Sequence, residues 1–189
     1  MTSIVGLAEN GKVWIGGDSA GVAGLSMLVR ADSKVFNNNG FVFGFTSSFR
    51  MGQLLRYRFK PPRRHPEDDP EKFMSTEFVD AVRACLKDYG YAKVENSQET
   101  GGVFLVGHSG QLFCVDNDYQ VGVSIHPFHA VGCGADISLG VMLATSGTKM
   151  CPKTRILKAL EAAQEFSAGV RGPFHIEMNE VTTPPNPKG

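Results

Sequence analysis

The first quarter of the chain carries two pairs of short apolar runs, and a polar turn separates the members of each pair. Ser3–Ala8 and Lys12–Asp18 flank Asn10-Gly11. Lys34–Phe36 and Phe41–Thr46 repeat this arrangement around a second Asn-Gly pair. Asn-Gly between two strand-like runs is the strongest short-range signal for a β-hairpin. The pattern therefore predicts two hairpins near the amino terminus.

The pattern becomes helical after this point. A helix is predicted from Phe49 to about Phe59. Four closely spaced prolines in residues 60–70 then exclude a helix interior or a central strand, which makes this stretch a loop. A second helix is predicted over Pro70–Tyr89, because its apolar residues recur at helical spacing and form one stripe. The residues of this stripe are Phe78, Val82, Cys85 and Leu86.

The second half repeats the order of strands followed by helices. Strands are predicted at Gly102–Gly107, Gln111–Val115, Tyr119–Ile125 and Phe174–Met178, and helices from near Asp136 to Ser146 and from Pro152 to about Ser167. Segregated blocks of strands and helices predict an α+β layered sandwich. We expect one domain over residues 1–181. The proline-rich tail over residues 182–189 has nothing to bury and is expected to be mobile.

Composition narrows the class of protein. The 189 residues include 19 Lys and Arg and 19 Asp and Glu, and this zero net charge gives no indication of a nucleic-acid or membrane partner. No signal peptide is visible, and the four cysteines lack C-x-x-C spacing, so we expect reduced thiols and a cytoplasmic location. The sequence contains no phosphate-loop pattern, so no cofactor is predicted. His126 and His129 lack a third ligand at a convincing spacing, so no metal site is predicted.

Three residues at a regular interval carry the candidate chemistry. Asp18 follows Thr2 by sixteen residues, and Lys34 follows Asp18 by the same interval. Once Met1 is removed, Thr2 carries a hydroxyl nucleophile and an α-amine that can serve as a general base. A buried ammonium near the Thr2 hydroxyl favours the alkoxide, and that ammonium needs a carboxylate partner. Taken alone, Asp18 is better interpreted as a turn residue that caps a hairpin, and Lys34 as a solvated lysine at the start of a strand.

These residues resemble a known family. Thr2–Gly6, Gly16–Ser19 and Lys34–Phe36 are similar to the amino-terminal part of proteasome β-subunits and of the bacterial HslV peptidase. Both are N-terminal-nucleophile hydrolases in which a threonine, an aspartate and a lysine occur at this spacing. The resemblance covers nearly the whole domain and implies a four-layer αββα sandwich, with Thr2, Asp18 and Lys34 in the catalytic roles.

The resemblance also assigns three further positions. It implies an oxyanion donor at the backbone N–H of Ser47, where the family usually has glycine. Cys133, within Gly132-Cys133-Gly134, stands where the family has a serine beside the threonine amine. Glu165 stands for an acid near the end of the last long helix, and Ser167 or Ala168 stands for a serine. Cys133 is otherwise readable as a small buried residue at a helix start, and Glu165 as a solvated helix-end acid.

The resemblance implies a threonine peptidase that forms an acyl-enzyme at Thr2. Similar peptidases form rings that enclose the active sites, so a homo-oligomeric ring acting on polypeptide substrates is expected, with an ATPase regulator by analogy only. Two alternatives stay open. The first alternative is a non-catalytic structural ring subunit of the same fold. The second is an amidase that acts on a small non-peptide amide.

Overall fold

The computed structural model describes residues 1–95 and 97–179. Its strands, in chain order, are β1 (Ile4–Glu9), β2 (Lys12–Gly17), β3 (Ala20–Ala23), β4 (Ser26–Val29), β5 (Val35–Asn38), β6 (Phe41–Phe45), β7 (Lys93–Glu95), β8 (Gln98–Thr100), β9 (Phe104–His108), β10 (Gln111–Val115), β11 (Val121–Gly122), β12 (Phe128–Val131) and β13 (His175–Asn179). Its helices are α1 (Phe49–Tyr57), α2 (Pro70–Phe73), α3 (Val79–Asp88), α4 (Ala135–Ala144) and α5 (Pro152–Phe166). A π-helical segment, Met74–Phe78, joins α2 to α3.

Two antiparallel sheets form the centre of the molecule. One has four strands in the order β12-β1-β2-β13, and the other has five strands in the order β11-β10-β9-β6-β5. The hairpins β3–β4 and β7–β8 form separate two-stranded sheets. Both Asn-Gly turns are present, because Asn10, Gly11, Asn39 and Gly40 all have positive φ, as a tight hairpin turn requires.

Three apolar cores separate four layers. A phenylalanine-rich core lies between α1, α3 and the five-stranded sheet. A second core, which includes Ile4, Ile15, Val42 and Leu105, lies between the two sheets. The third lies between the four-stranded sheet and helices α4 and α5. The predicted four-layer αββα sandwich is therefore confirmed.

The alternation of side chains along β6 shows how sequence produces these layers. Phe41, Phe43 and Phe45 point into the helix-side core, whereas Val42 points between the sheets, as the two-residue period of a strand requires. Gly44 also faces the other sheet. A Cβ at this position would lie 2.5 Å from side-chain atoms of both Ile4 and Ile15. Glycine is thus required for the close approach of the two sheets.

Some predicted elements differ from those in the structure. The strand predicted over Tyr119–Ile125 is wrong, since only Val121–Gly122 pairs with β10. Tyr119 has a φ of 68° and turns the chain, which then crosses to the other sheet and forms β12. Strands β3, β4, β7, β8 and β12 were not predicted. The predicted domain end at residue 181 and the tail over 182–189 lie outside the described residues.

None of the helices in residues 1–95 and 97–179 combines the length and apolar character needed to cross a bilayer.

Candidate active site

Strand pairing brings the amino terminus beside Asp18. Ile4 on β1 lies opposite Gly17 on β2, and the Asp18 N–H donates to the Ser3 carbonyl at 3.3 Å. Thr2 and Asp18 therefore extend from the same end of one hairpin. Lys34 immediately precedes β5 in the other sheet, so its side chain reaches this point from across the sandwich. All three side chains are buried.

A single ammonium links the candidate nucleophile to the carboxylate. The Lys34 Nζ lies 2.7 Å from the Thr2 Oγ1 and 2.8 Å from the Asp18 Oδ1. Burial lowers the pKa of Lys34 below its ordinary value, and the Asp18 carboxylate opposes this effect. Lys34 is only 1% exposed. This burial rules out the alternative interpretation of Lys34 as a solvated strand-start residue.

Asp18 accepts hydrogen bonds from four separate parts of the chain. Its Oδ1 accepts from Lys34 and from the Ser3 N–H at 3.1 Å. Its Oδ2 accepts from the Ala20 N–H at 2.8 Å and the Arg171 N–H at 3.3 Å. Such charge-assisted bonds fix the orientation of the carboxylate. The sequence did not indicate the donation from Arg171, which lies 153 residues away.

The turn formed by residues 132–134 wraps around Thr2. The Gly134 N–H donates to the Thr2 carbonyl at 3.2 Å, and the Thr2 N–H donates to the Cys133 Sγ at 3.2 Å. The sulfur also lies 3.4 Å from the Ser167 Oγ. Gly132 has a φ of 102°, a conformation that favours glycine. Removal of Met1 would therefore leave the Thr2 α-amine against the Cys133 thiol.

Met1 is attached to Thr2 in this structure and lies at the site. The Thr2 hydroxyl donates to the Met1 carbonyl. Gly169 provides room for Met1, since a Cβ at residue 169 would lie 2.4 Å from the Met1 Cβ. While Met1 is present, the nitrogen of Thr2 is an amide and cannot accept a proton.

A cleft of about 320 Å³ opens beside Thr2. One wall is formed by β3, and the other by the segment between β6 and α1 that contains Ser47. Ser47 has a φ of 66°, the left-handed region, which accounts for the glycine that is usual here in the resembling family. Among the hydrogen bonds of the described residues, the Ser47 N–H has no acceptor. This N–H is therefore available to a molecule in the cleft.

The structure does not bring every predicted residue to the site. The Glu165 side chain is exposed near the end of α5 and makes no hydrogen bond or ion pair within the described part of the chain. The neighbouring Ser167, just beyond the helix end, is the residue that contacts Cys133. The geometry thus groups Thr2, Asp18, Lys34, Cys133 and Ser167 and leaves Glu165 outside.

Sequence reasoning missed Arg30 as a residue of the cleft. The Arg30 guanidinium lies 3.9 Å from the centroid of the Phe49 ring, and the Lys34 Nζ lies 5.7 Å from the same centroid. Both Arg30 and Phe49 line the cleft. Only the three-dimensional path of the chain brings them together. Residues 1–95 and 97–179 contain no group of three or more His, Cys, Asp or Glu side chains arranged to hold a metal ion.

Comparison with solved structures identifies the fold. BPH from Thiobacillus denitrificans, in complex with epoxomicin, superposes with a TM-score of 0.78 at 19% identity, covering 96% of this chain and 100% of that one. HslV from Trypanosoma brucei gives a TM-score of 0.68 at 14% identity, covering 94% of this chain and 98% of that one. The chain has the fold of the proteasome-type N-terminal-nucleophile hydrolases.

The same fold is found in Anbu, an ancestral β-subunit, from Yersinia bercovieri. It superposes with a TM-score of 0.63 at 13% identity, covering 94% of this chain and 81% of that one. Neither the protein-family models nor the curated proteins give a match. At these identities the likeness concerns the N-terminal-nucleophile hydrolase fold, and it confirms the resemblance derived from the residues around Thr2, Asp18 and Lys34.

Proposed function

We propose that the chain is a threonine peptidase that acts through Thr2 once Met1 has been removed. The observation that carries this proposal is the buried contact of the Lys34 Nζ with both the Thr2 Oγ1 and the Asp18 Oδ1. An ammonium so placed stabilises negative charge on the hydroxyl oxygen and thereby favours attack on a carbonyl.

The reaction proceeds in two acyl transfers. The Thr2 Oγ forms a bond to the carbonyl carbon of the peptide, and its proton passes to the Thr2 α-amine, directly or through a water. The Ser47 N–H donates to the developing oxyanion. The carbon–nitrogen bond then breaks, and the proton passes from the α-amine to the departing amine. Water adds to the resulting ester and releases the acid, which restores the Thr2 hydroxyl.

Cys133 has a supporting place in this scheme. Its sulfur lies 3.2 Å from the nitrogen that becomes the α-amine, and it connects that nitrogen to the Ser167 hydroxyl. A thiol is a weaker donor and acceptor than a hydroxyl, so Cys133 orients the amine more than it carries protons. We further propose, from the fold, a homo-oligomeric ring that acts on polypeptides. An ATPase regulator rests on analogy alone.

The proposal is tested by replacing Thr2 with alanine. T2A should reduce hydrolysis of fluorogenic peptides by at least about 10³-fold, because the attacking oxygen is absent. The matched control is Thr76→Ala, which changes an exposed threonine on the π-helical segment and should leave the rate unchanged. Intact-mass measurement first establishes that Met1 is absent from every preparation. Undiminished hydrolysis by T2A would exclude the mechanism.

Epoxomicin provides a second measurement. Because it is bound in one of the T. denitrificans BPH structures, we expect it to inhibit the processed chain. It should not increase the melting temperature of T2A. Inactivity of the processed wild type on every peptide and on acylated small amides would instead favour the structural ring subunit.

A further inference from the structure

Two cations line the cleft beside Thr2, and each has its own carboxylate. The Lys34 Nζ lies 2.8 Å from Asp18. The Arg30 Nε and Nη2 each lie 2.7 Å from an oxygen of Asp32, which is the bidentate arrangement of a strong guanidinium–carboxylate pair. The hydrogen bond from Arg30 lowers the pKa of Asp32, so this carboxylate remains ionised at neutral pH. Neither cation therefore presents an uncompensated charge to the cleft.

Arg30 is held as part of the wall. Its guanidinium stacks on Phe49 at 3.9 Å, and its backbone N–H donates to the Ser19 carbonyl at 2.8 Å. Its aliphatic stem passes close to Gly21, where a Cβ would lie 2.9 Å from the Arg30 Cδ. These contacts do not involve Asp32, so Arg30 should keep its place when Asp32 is changed.

The remainder of the lining is mostly small or apolar. The residues of this kind are Ala20, Gly21, Val22, Ala23, Leu28, Phe45 and Phe49. A charged substrate side chain would lose hydration here, which costs free energy. The lining also offers the neutral hydroxyls of Thr46, Ser47 and Ser48, but both of its cations already have carboxylate partners. An apolar side chain would gain from burial.

We infer that the cleft selects substrates with an uncharged, apolar side chain on the residue whose carbonyl is attacked. Asp32 determines this specificity by neutralising Arg30. The inference rests on the proposed peptidase function. An attacked carbonyl between the Thr2 Oγ and the Ser47 N–H places its own residue in the cleft that both groups line. The structure thus assigns a specificity role to a carboxylate that does not touch the reacting atoms.

The test compares three peptides that differ only at the residue before the reporter group, which is Leu, Asp or Lys. For the wild type, kcat/KM should be greater for Leu than for Asp or Lys by about tenfold or more, the scale on which pockets discriminate side chains. Asp32→Asn exposes the charge of Arg30. This variant should increase the Asp-to-Leu ratio of kcat/KM by about tenfold and should not increase the Lys-to-Leu ratio.

Two further variants isolate the cause. Asp80→Asn removes a carboxylate from an exposed pair with Arg83 and should leave all three ratios unchanged. The double variant Arg30→Met with Asp32→Asn should lose the gain on the Asp peptide, because the exposed charge is gone. A wild-type preference for Asp or Lys, or an unchanged Asp-to-Leu ratio in D32N, would overturn the inference.

Binding measurements separate this inference from the proposed reaction. The same peptides are titrated against T2A and against T2A with D32N, by fluorescence anisotropy. Preferential binding of the Leu peptide to T2A, with no hydrolysis by the wild type, would contradict the peptidase and support the cleft assignment. Hydrolysis by the wild type without a preference in rate or binding would support the peptidase and contradict the cleft assignment.

Discussion

Lys34 is a cation that the fold removes almost completely from water. A buried lysine retains its proton only with a compensating carboxylate, and Asp18 provides one at 2.8 Å. The two residues are interdependent in a way that their spacing in sequence only suggests. The family resemblance implied that they meet at Thr2. Burial and distance explain why neither of the two side chains can be changed alone without consequence for the other.

This interdependence predicts a pH dependence. Burial lowers the pKa of Lys34 from its ordinary value of 10.5, so the ammonium that supports Thr2 loses its proton, as the pH rises, earlier than a solvated lysine would. We expect kcat/KM to decline on the alkaline side with that group. Asp18→Asn removes the charge that raises the pKa of Lys34, so the alkaline limb should move to lower pH. The measurement is kcat/KM against pH for both proteins, with Asp80→Asn as control. An unmoved limb would contradict this role of Asp18.

The same shift has a defined sign for stability. Between the lowered pKa of Lys34 and 10.5, the unfolded chain binds the extra proton and the folded chain does not. The contribution of Lys34 to the free energy of unfolding therefore increases with pH across that interval. Below the interval both states are protonated, and the folded state retains the full cost of a buried charge.

At the level of elements, close packing of the two sheets depends on glycines in the strands. Gly44→Ala would place a methyl group 2.5 Å from side-chain atoms of Ile4 and Ile15. We expect a loss of about 1–3 kcal/mol in the free energy of unfolding, the usual cost of overpacking. Gly140→Ala is the matched control, because nothing lies within 4 Å of a Cβ at this exposed position in α4. It should gain about 0.5–1 kcal/mol from helix propensity.

Urea denaturation measures both changes. Equal stability of G44A and the wild type would mean that the sheets separate more easily than the distances indicate. A loss in G140A would indicate that α4 contacts something beyond the described chain.

The elements that the sequence revealed are those with strong local signals. Asn-Gly turns and helical stripes are properties of neighbouring residues, and they predicted β1, β2, β5, β6, α1 and α3. Strands β3 and β4 are mostly half-buried or exposed, so they show no apolar alternation. Strand β12 exists because β1 offers it an edge, and no local pattern encodes this pairing. For the same reason the sequence suggested Cys133 beside Thr2 but could not show that Glu165 points to solvent.

For the molecule as a whole, the hairpin β3–β4 exposes apolar side chains that favour association between copies. Leu25 is fully exposed at its tip, and Leu28 and Val29 are largely exposed on β4. With zero net charge, the chain has little electrostatic repulsion between copies. This supports the proposed homo-oligomer.

Leu25→Lys should therefore weaken self-association. Leu25 does not line the cleft, so the change acts on contacts between copies. Sedimentation velocity should show a shift towards smaller species. Val94→Lys, at an exposed valine in the hairpin β7–β8, is the control and should leave the distribution unchanged. An identical distribution for L25K and the wild type would exclude the β3–β4 hairpin as a contact.

The four donors around Asp18 bear on the order of events during synthesis. They come from residues 3, 20, 34 and 171, so the carboxylate completes its contacts only after most of the chain has left the ribosome. Thr2 is synthesised early, but the nascent chain then still lacks Arg171, whose N–H helps to orient Asp18. In the proposed hydrolase, the full set of donors that orients Asp18 is therefore complete only after residue 171 has been synthesised.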